Sequence, residues 1–152
     1  MSVESVRAYF RDHGLAYEIH EFGESTETVE LAAQALGVEP ELIAKTLAFR
    51  LRDRGVLVVT RGDARIDNRK FKDTFGMKAK MMPPEEVFEK TGHPVGGVCP
   101  FAIKEDMEIY LDSSLGQFDK VYPAAGSKNS CVEITPEELC RITGAQWVDV
   151  CK

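Results

Sequence analysis

Ten residues near the middle of the chain, Gly92-His93-Pro94-Val95-Gly96-Gly97-Val98-Cys99-Pro100-Phe101, restrict the possible folds more than any other stretch. Three glycines and two prolines exclude a stable helix or a central strand, because glycine loses the most backbone entropy on ordering and proline has no amide to donate. The segment is therefore a shaped loop. Val95, Val98 and Phe101 tuck it against the body of the protein, and Gly96 and Gly97 let something else approach its backbone closely. Such a loop can hold a carboxyl group, a phosphate or a developing oxyanion on its N–H groups. It can equally be a plain connection between a helix and a strand.

The flanking elements follow from periodicity. Residues 3–13 read as a short amphipathic helix with Val3, Val6 and Phe10 on one stripe, and 15–22 as a strand. Thr28 precedes a helix over 29–36 stopped by Gly37, and Pro40 opens a second short helix over 40–44. A hairpin follows, with runs 45–51 and 56–60 around the turn Arg52-Asp53-Arg54-Gly55. Leu47, Phe49 and Leu51 share one face of its first strand with Lys45, and Thr46, Ala48 and Arg50 share the other. A lysine on an apolar stripe either snorkels outward or has a partner.

Asp67 and Asn68 cap a helix ending near Phe75, residues 77–82 form a short strand, and Pro83-Pro84-Glu85-Glu86 opens a helix that delivers the chain to the loop. Strands follow at 107–112, 120–123 and 131–134. A helix from Pro136 to Arg141 carries a Thr135 capping box, and a last strand covers 146–150. Helices mixed with a hairpin, without regular βαβ alternation, predict an α+β fold. It is a single domain over residues 1–152, a curved, barrel-like, mixed or antiparallel sheet surrounded by helices.

Charge narrows the function. A net −6 argues against a general nucleic-acid binder, yet seven basic residues (Arg61, Arg65, Arg69, Lys70, Lys72, Lys78, Lys80) face only three acidic ones between 61 and 80. That stretch carries +4 and leaves −10 for the rest, a pattern that suits either a docking face or a solvated charged helix. The four cysteines, 99, 131, 140 and 151, have no C-x-x-C spacing and no histidine at metal spacing, so no metal or cofactor is expected. Neither a leader nor an apolar run of membrane-spanning length is visible, and a cytoplasmic location is expected. Cys99 with His93 as its base is a conceivable covalent nucleophile.

Lys45-Thr46 on a strand, Gly96-x-x-x-Pro100 in the loop and Ala125-Gly126-Ser127 in a later loop together resemble the YbaK/EbsC-type aminoacyl-tRNA deacylases, relatives of the prolyl-tRNA synthetase editing domain. The resemblance covers nearly the whole chain. It implies a trans-editing hydrolase that cleaves the ester of mischarged aminoacyl-tRNA, typically tRNA for proline carrying a small wrong amino acid such as cysteine or alanine. The Lys-Thr pair is similar to that of the cysteine-removing type. Lys45, Gly96, Gly97 and Ser127 are the implied catalytic residues. Thr46, Val98, Cys99, Pro100 and Gly126 are implied in substrate binding, and Arg69 and Lys70 are candidates for docking the tRNA. The implied partners are aminoacyl-tRNA and prolyl-tRNA synthetase, with no membrane. The alternative is a non-catalytic tRNA- or synthetase-binding module of the same fold.

Overall fold

The hairpin sits at the centre of the molecule. In a computed structural model, which describes residues 2–152, helix α1 (Ser2–Asp12) leads to strand β1 (Ile19–Glu21), helix α2 (Val29–Leu36), and the hairpin strands β2 (Ile43–Arg50) and β3 (Gly55–Arg61). Helices α3 (Asn68–Phe75) and α4 (Pro84–Thr91) precede the glycine-rich loop. Strand β4 (Glu108–Asp112), β5 (Tyr122–Pro123), β6 (Ser130–Val132), helix α5 (Pro136–Thr143) and β7 (Gln146–Val148) complete the chain. Side chains that satisfy first-turn amides fix the starts of three helices. Thr28 accepts from Leu31 N, Asp67 from Arg69 N and Lys70 N, and Thr135 from Glu138 N. Gly92 ends α4 in the left-handed region with φ 78, turning the chain into the loop.

Five strands form one mixed sheet in the order β5-β2-β3-β4-β7, and β1 and β6 form an antiparallel pair. Within the five, only the β2–β3 hairpin is antiparallel, while β2–β5, β3–β4 and β4–β7 run parallel. Single bridges, Val121 to Ile134 and Ala124 to Cys131, join the margin of β5 to that of β6. The expected α+β architecture with a mixed sheet is present, with local differences; the strands expected over 120–123, 131–134 and 146–150 are shorter, at Tyr122–Pro123, Ser130–Val132 and Gln146–Val148. The helix expected over 40–44 is a single 3₁₀ turn, Pro40–Leu42, because Ile43 and Ala44 are drawn into pairing with Tyr122 and Pro123. Residues 77–82 do not form a strand. They make one bridge, Phe49 to Met81, before Pro83 and Pro84 open α4. The strand expected over 15–22 is limited to the three residues that meet β6.

Burial on both faces explains the unbroken apolar run of β3, where Val56, Leu57, Val58 and Val59 are all fully buried. On one face Val59, Leu111 and Ala44 pack with Val6 and Phe10 of α1, Phe101 of the loop and Leu139 of α5. Ala48 and Leu57 continue that face against Met82 and Val87. On the other, Phe49, Val56, Val58 and Tyr110 receive Phe71 of α3. The Phe49 and Phe71 rings lie 4.8 Å apart, and Phe71 and Phe75 4.7 Å apart. The i, i+4 phenylalanines thus anchor the basic helix, and the loop and α3 occupy opposite faces of the sheet.

Candidate active site

A strand inside a sheet offers hydrogen-bonding groups to both sides, so the ladder of β2 can be counted group by group. Its odd-numbered residues pair with β3. Its even-numbered residues point to the other edge, as shown by Met82 N donating to Ala48 O (2.9 Å) and Arg50 N donating to Lys80 O (2.9 Å). At the near end the same edge is covered by β5, whose pairing with β2 stops at Ala44 opposite Pro123. Between these two closures lies Thr46. Among the described residues its N–H and C=O have no partner, and its Oγ1, a buried atom, has none either. Three polar groups of one residue are thus left open on a short free edge.

A cleft of about 540 Å³ wraps that edge. Residues 43–48 line it from both faces of β2, and Met82, Val87 and Val98 supply apolar walls on the Ala44, Thr46, Ala48 side. Residues 26–29 and Ala32 of α2 close one end, and Met81 and Val95 stand exposed at the mouth. The size and apolar lining suit a small ligand that is oriented by a few polar groups.

The glycine-rich loop forms a wall of this cleft through Val95, Gly96 and Val98. Gly96 takes φ 97, and a Cβ there would lie 2.8 Å from the Cβ of Glu27. Gly97 faces away from the cleft. A Cβ on it would lie 2.5 Å from the carbonyl carbon of Ser127, and its own carbonyl accepts from Gly126 N at 3.0 Å. The two loops named by the motif therefore clasp each other by backbone, and only glycine permits that approach. Gly97 N–H is spent on Pro94 O (2.8 Å), whereas among the described residues the N–H groups of Gly96 and Val98 have no partner.

The expected site residues separate accordingly. Thr46, Gly96 and Val98 line the cleft, and Lys45 borders it with its side chain on the opposite face of β2. The Lys45 ammonium donates to Ala64 O at 2.6 Å, near Asp63 and Arg65, and burial pushes its pKa down. It does not stand opposite the glycine loop. Gly126 and Ser127 line a second cleft of about 630 Å³ on the far side of the wall, beside Phe88 and Lys128. The Ser127 hydroxyl is engaged by Asn129 Oδ1 (2.8 Å) and Ser130 Oγ (2.7 Å), which shapes the clasp. Pro100 is buried behind the wall. Arg69 is exposed on α3, while Lys70 is tied to Asp149 (3.1 Å) and to the carbonyl of Cys151 (2.9 Å).

Cys99 requires a correction, since it lines neither cleft and is 0% exposed. Its sulfur lies 3.7 Å from His93 Nε2, but that nitrogen is 2.8 Å from Phe101 O. A carbonyl only accepts, so Nε2 carries the proton and cannot act as a base toward the thiol. Burial pushes the thiol up to about 12. The pair is the inner fastening of the loop, reinforced by Thr91, whose hydroxyl accepts from His93 N at 3.0 Å. Among the described residues no three His, Cys, Asp or Glu side chains gather as a metal site.

Sequence reasoning missed Ala44 and Ala48 in the cleft floor, Met82 and Val87 in its wall, and Cys131 at its back, where burial pushes that thiol up to about 11. The only signal for the floor was the small-residue alternation Ala44, Thr46, Ala48.

Comparison with known proteins agrees with the motifs. The family described as "Aminoacyl-tRNA editing domain" matches residues 23–142. The uncharacterized protein YwhH of Bacillus subtilis (strain 168) is 49% identical over 154 residues, covering 100% of this chain and 98% of that protein. EbsC of Enterococcus faecalis, named as a candidate Cys-tRNA(Pro)/Cys-tRNA(Cys) deacylase, is 28% identical over 91% of this chain and 87% of its own. A crystal structure of a candidate trans-editing enzyme for prolyl tRNA synthetase superposes with a TM-score of 0.92 at 33% identity, over 99% of this chain and 97% of that one.

The buried histidine makes the loop sensitive to acid. His93 is 1% exposed, its Nδ1 has no partner among the described residues, and burial holds its pKa below the ordinary value, against the opposing pull of the Phe101 carbonyl. The unfolded imidazole takes up a proton near pH 6.5 and the folded one resists it, so this contribution to stability is intact above about pH 6.5 and declines as the pH falls below it. The urea midpoint should therefore drop more between pH 7 and pH 5.5 in the wild type than in His93→Gln. Equal drops would show that His93 is not buried neutral.

Proposed function

The chain belongs to the aminoacyl-tRNA editing domain family, and we propose that it hydrolyses the ester of mischarged aminoacyl-tRNA, with tRNA for proline carrying cysteine or alanine as its substrate. The observation that carries this reading is the small apolar cleft built around the unpaired Thr46 edge and walled by Gly96 and Val98. An aminoacyl ester is already activated, so the site needs no strong nucleophile of its own. It has to hold the ester, stabilise the tetrahedral oxyanion and exclude larger side chains. Water attacks the ester carbonyl and the ribose oxygen leaves with a proton; when the amino acid is cysteine its own thiol can attack instead, expelling the same oxygen and giving a cyclic thioester that water then opens.

The N–H groups of Gly96 and Val98, without a partner among the described residues, serve as donors for the oxyanion, while Gly97, Gly126 and Ser127 hold that wall in place. Ala44 and Ala48 leave room for a small side chain, and Val98, Met82 and Val87 bound it. One methylene is worth only about 1–3 kcal/mol in such a pocket, which is why a second sieve after a synthetase is useful.

Lys45 serves the nucleotide rather than the amino acid. Its ammonium lies across the edge of β2 from the floor and next to Arg65. The terminal adenosine passes this lysine toward the basic stretch, where Arg65 and Arg69 are exposed on the face that carries α3.

Two experiments test the reading. Alanine, cysteine, serine and threonine charged onto tRNA for proline and onto their own tRNAs should show accelerated deacylation for at least one small mismatched amino acid. Lys45→Ala should lower its kcat/KM by roughly tenfold or more. No acceleration over buffer across the panel would instead favour a binding module that recognises tRNA or prolyl-tRNA synthetase without chemistry. Separately, Arg65→Glu with Arg69→Glu should raise the KM for tRNA severalfold and leave kcat unchanged. An unaltered KM would remove α3 and the turn before it from the docking face.

A further inference from the structure

The open edge at Thr46 has the hydrogen-bonding pattern of a strand that lacks one partner residue. In an antiparallel pair, two residues directly opposite each other can exchange both bonds, each N–H donating to the other's C=O. Thr46 presents such a donor and acceptor, and both are unmatched among the described residues. The gap is short. It is bounded by Ala44, paired with Pro123, and by Ala48, paired with Met82, a span of about 13 Å at the rise of a strand. Neither end can be extended, since β5 covers one and the chain entering α4 covers the other. A peptide strand does not fit, and a single amino-acid residue does.

We propose that this edge reads the amino-acid moiety of the substrate as a one-residue strand, its α-ammonium donating to Thr46 C=O and its ester carbonyl accepting from Thr46 N–H. The inference rests on the deacylase reading of the same cleft and adds the feature that selects its substrates, a free α-amino group. In this pose the Thr46 N–H meets the carbonyl oxygen from the sheet side of the cleft that Gly96 and Val98 also line. Recognition is by main chain, so it holds for any small side chain that the floor admits.

The test uses the protein of residues 1–152 and tRNA for proline acylated with alanine, N-acetylalanine or propionate, each rate divided by its own uncatalysed rate in buffer. Propionate has alanine's carbon skeleton without the amine, so it removes the donor without adding bulk. The acceleration should be lower by about tenfold or more for propionyl-tRNA and for N-acetylalanyl-tRNA than for alanyl-tRNA. Thr46→Val deletes Oγ1 and keeps both backbone groups, so it should preserve the alanyl-to-propionyl ratio. Equal acceleration of the three substrates would overturn the inference while leaving the deacylase reading in place. A ratio that collapses in Thr46→Val would overturn it too, by assigning the selection to the hydroxyl. Failure of every aminoacyl ester, cysteinyl included, would overturn the deacylase reading and this inference with it.

Discussion

The backbone clasp between Gly97 and Ser127 is the contact on which the rest of the site depends. A Cβ at Gly97 would lie 2.5 Å from the Ser127 carbonyl carbon, and Gly126 N–H closes on Gly97 O at 3.0 Å. The clasp brings two loops roughly thirty residues apart into contact between two clefts, one lined by α2, α4, Gly96 and Val98 and the other by α1, Phe88 of α4, Gly126 and Ser127. The buried fastening of His93 to Phe101 holds the same loop from within. Fixing both the outer and the inner side of the loop turns a segment that cannot form regular structure into a wall that does not need to reorganise during a reaction.

Opposite this wall, the sheet contributes an interruption. Parallel pairing with β5 stops at Pro123, and the chain entering α4 takes over only at Ala48. An unsatisfied edge inside a folded protein is costly unless something fills it. In this cleft the open groups of Thr46 face a space of small-molecule size lined by apolar side chains. In the proposed reaction, positioning by main chain and selection by shape divide the work between the two sides of the cleft. The Lys45 ammonium lies on the reverse face of β2, bonded to Ala64 O, and in the proposed reaction it serves the nucleotide and leaves the ester to those backbone groups.

Much of this was legible in the sequence. Alternation placed Lys45 with Leu47 and Phe49, and the structure keeps it on that face; Thr28, Asp67 and Thr135 mark helix starts by their own chemistry. The composition of residues 92–101 required a loop, and the motifs identified the family. The division of labour within those motifs was not legible. Whether Gly97 or Gly96 faces a ligand depends on the distant Ser127, and whether Cys99 lines a pocket depends on the ring of His93 beneath it. The free edge at Thr46 depends on strand order and on where β5 ends, which only the assembled sheet decides. Lys45 was on the expected face, but which element packs on that face is a tertiary fact: α3 does, and the glycine loop does not.

The central claim is that the amino acid is seated on the Thr46 edge beneath the Gly96 wall. It is tested most directly by a crystal structure with the hydrolysis-resistant amide in which alanine is joined to 3′-amino-3′-deoxyadenosine. The alanyl group should lie between Ala44 and Ala48, with its ammonium within hydrogen-bond distance of Thr46 O, its carbonyl oxygen within reach of Thr46 N, and its adenosine directed past Lys45. Density for the alanyl group in the second cleft beside Ser127 and Phe88, or in the first cleft with Thr46 N and O still unengaged, would contradict it.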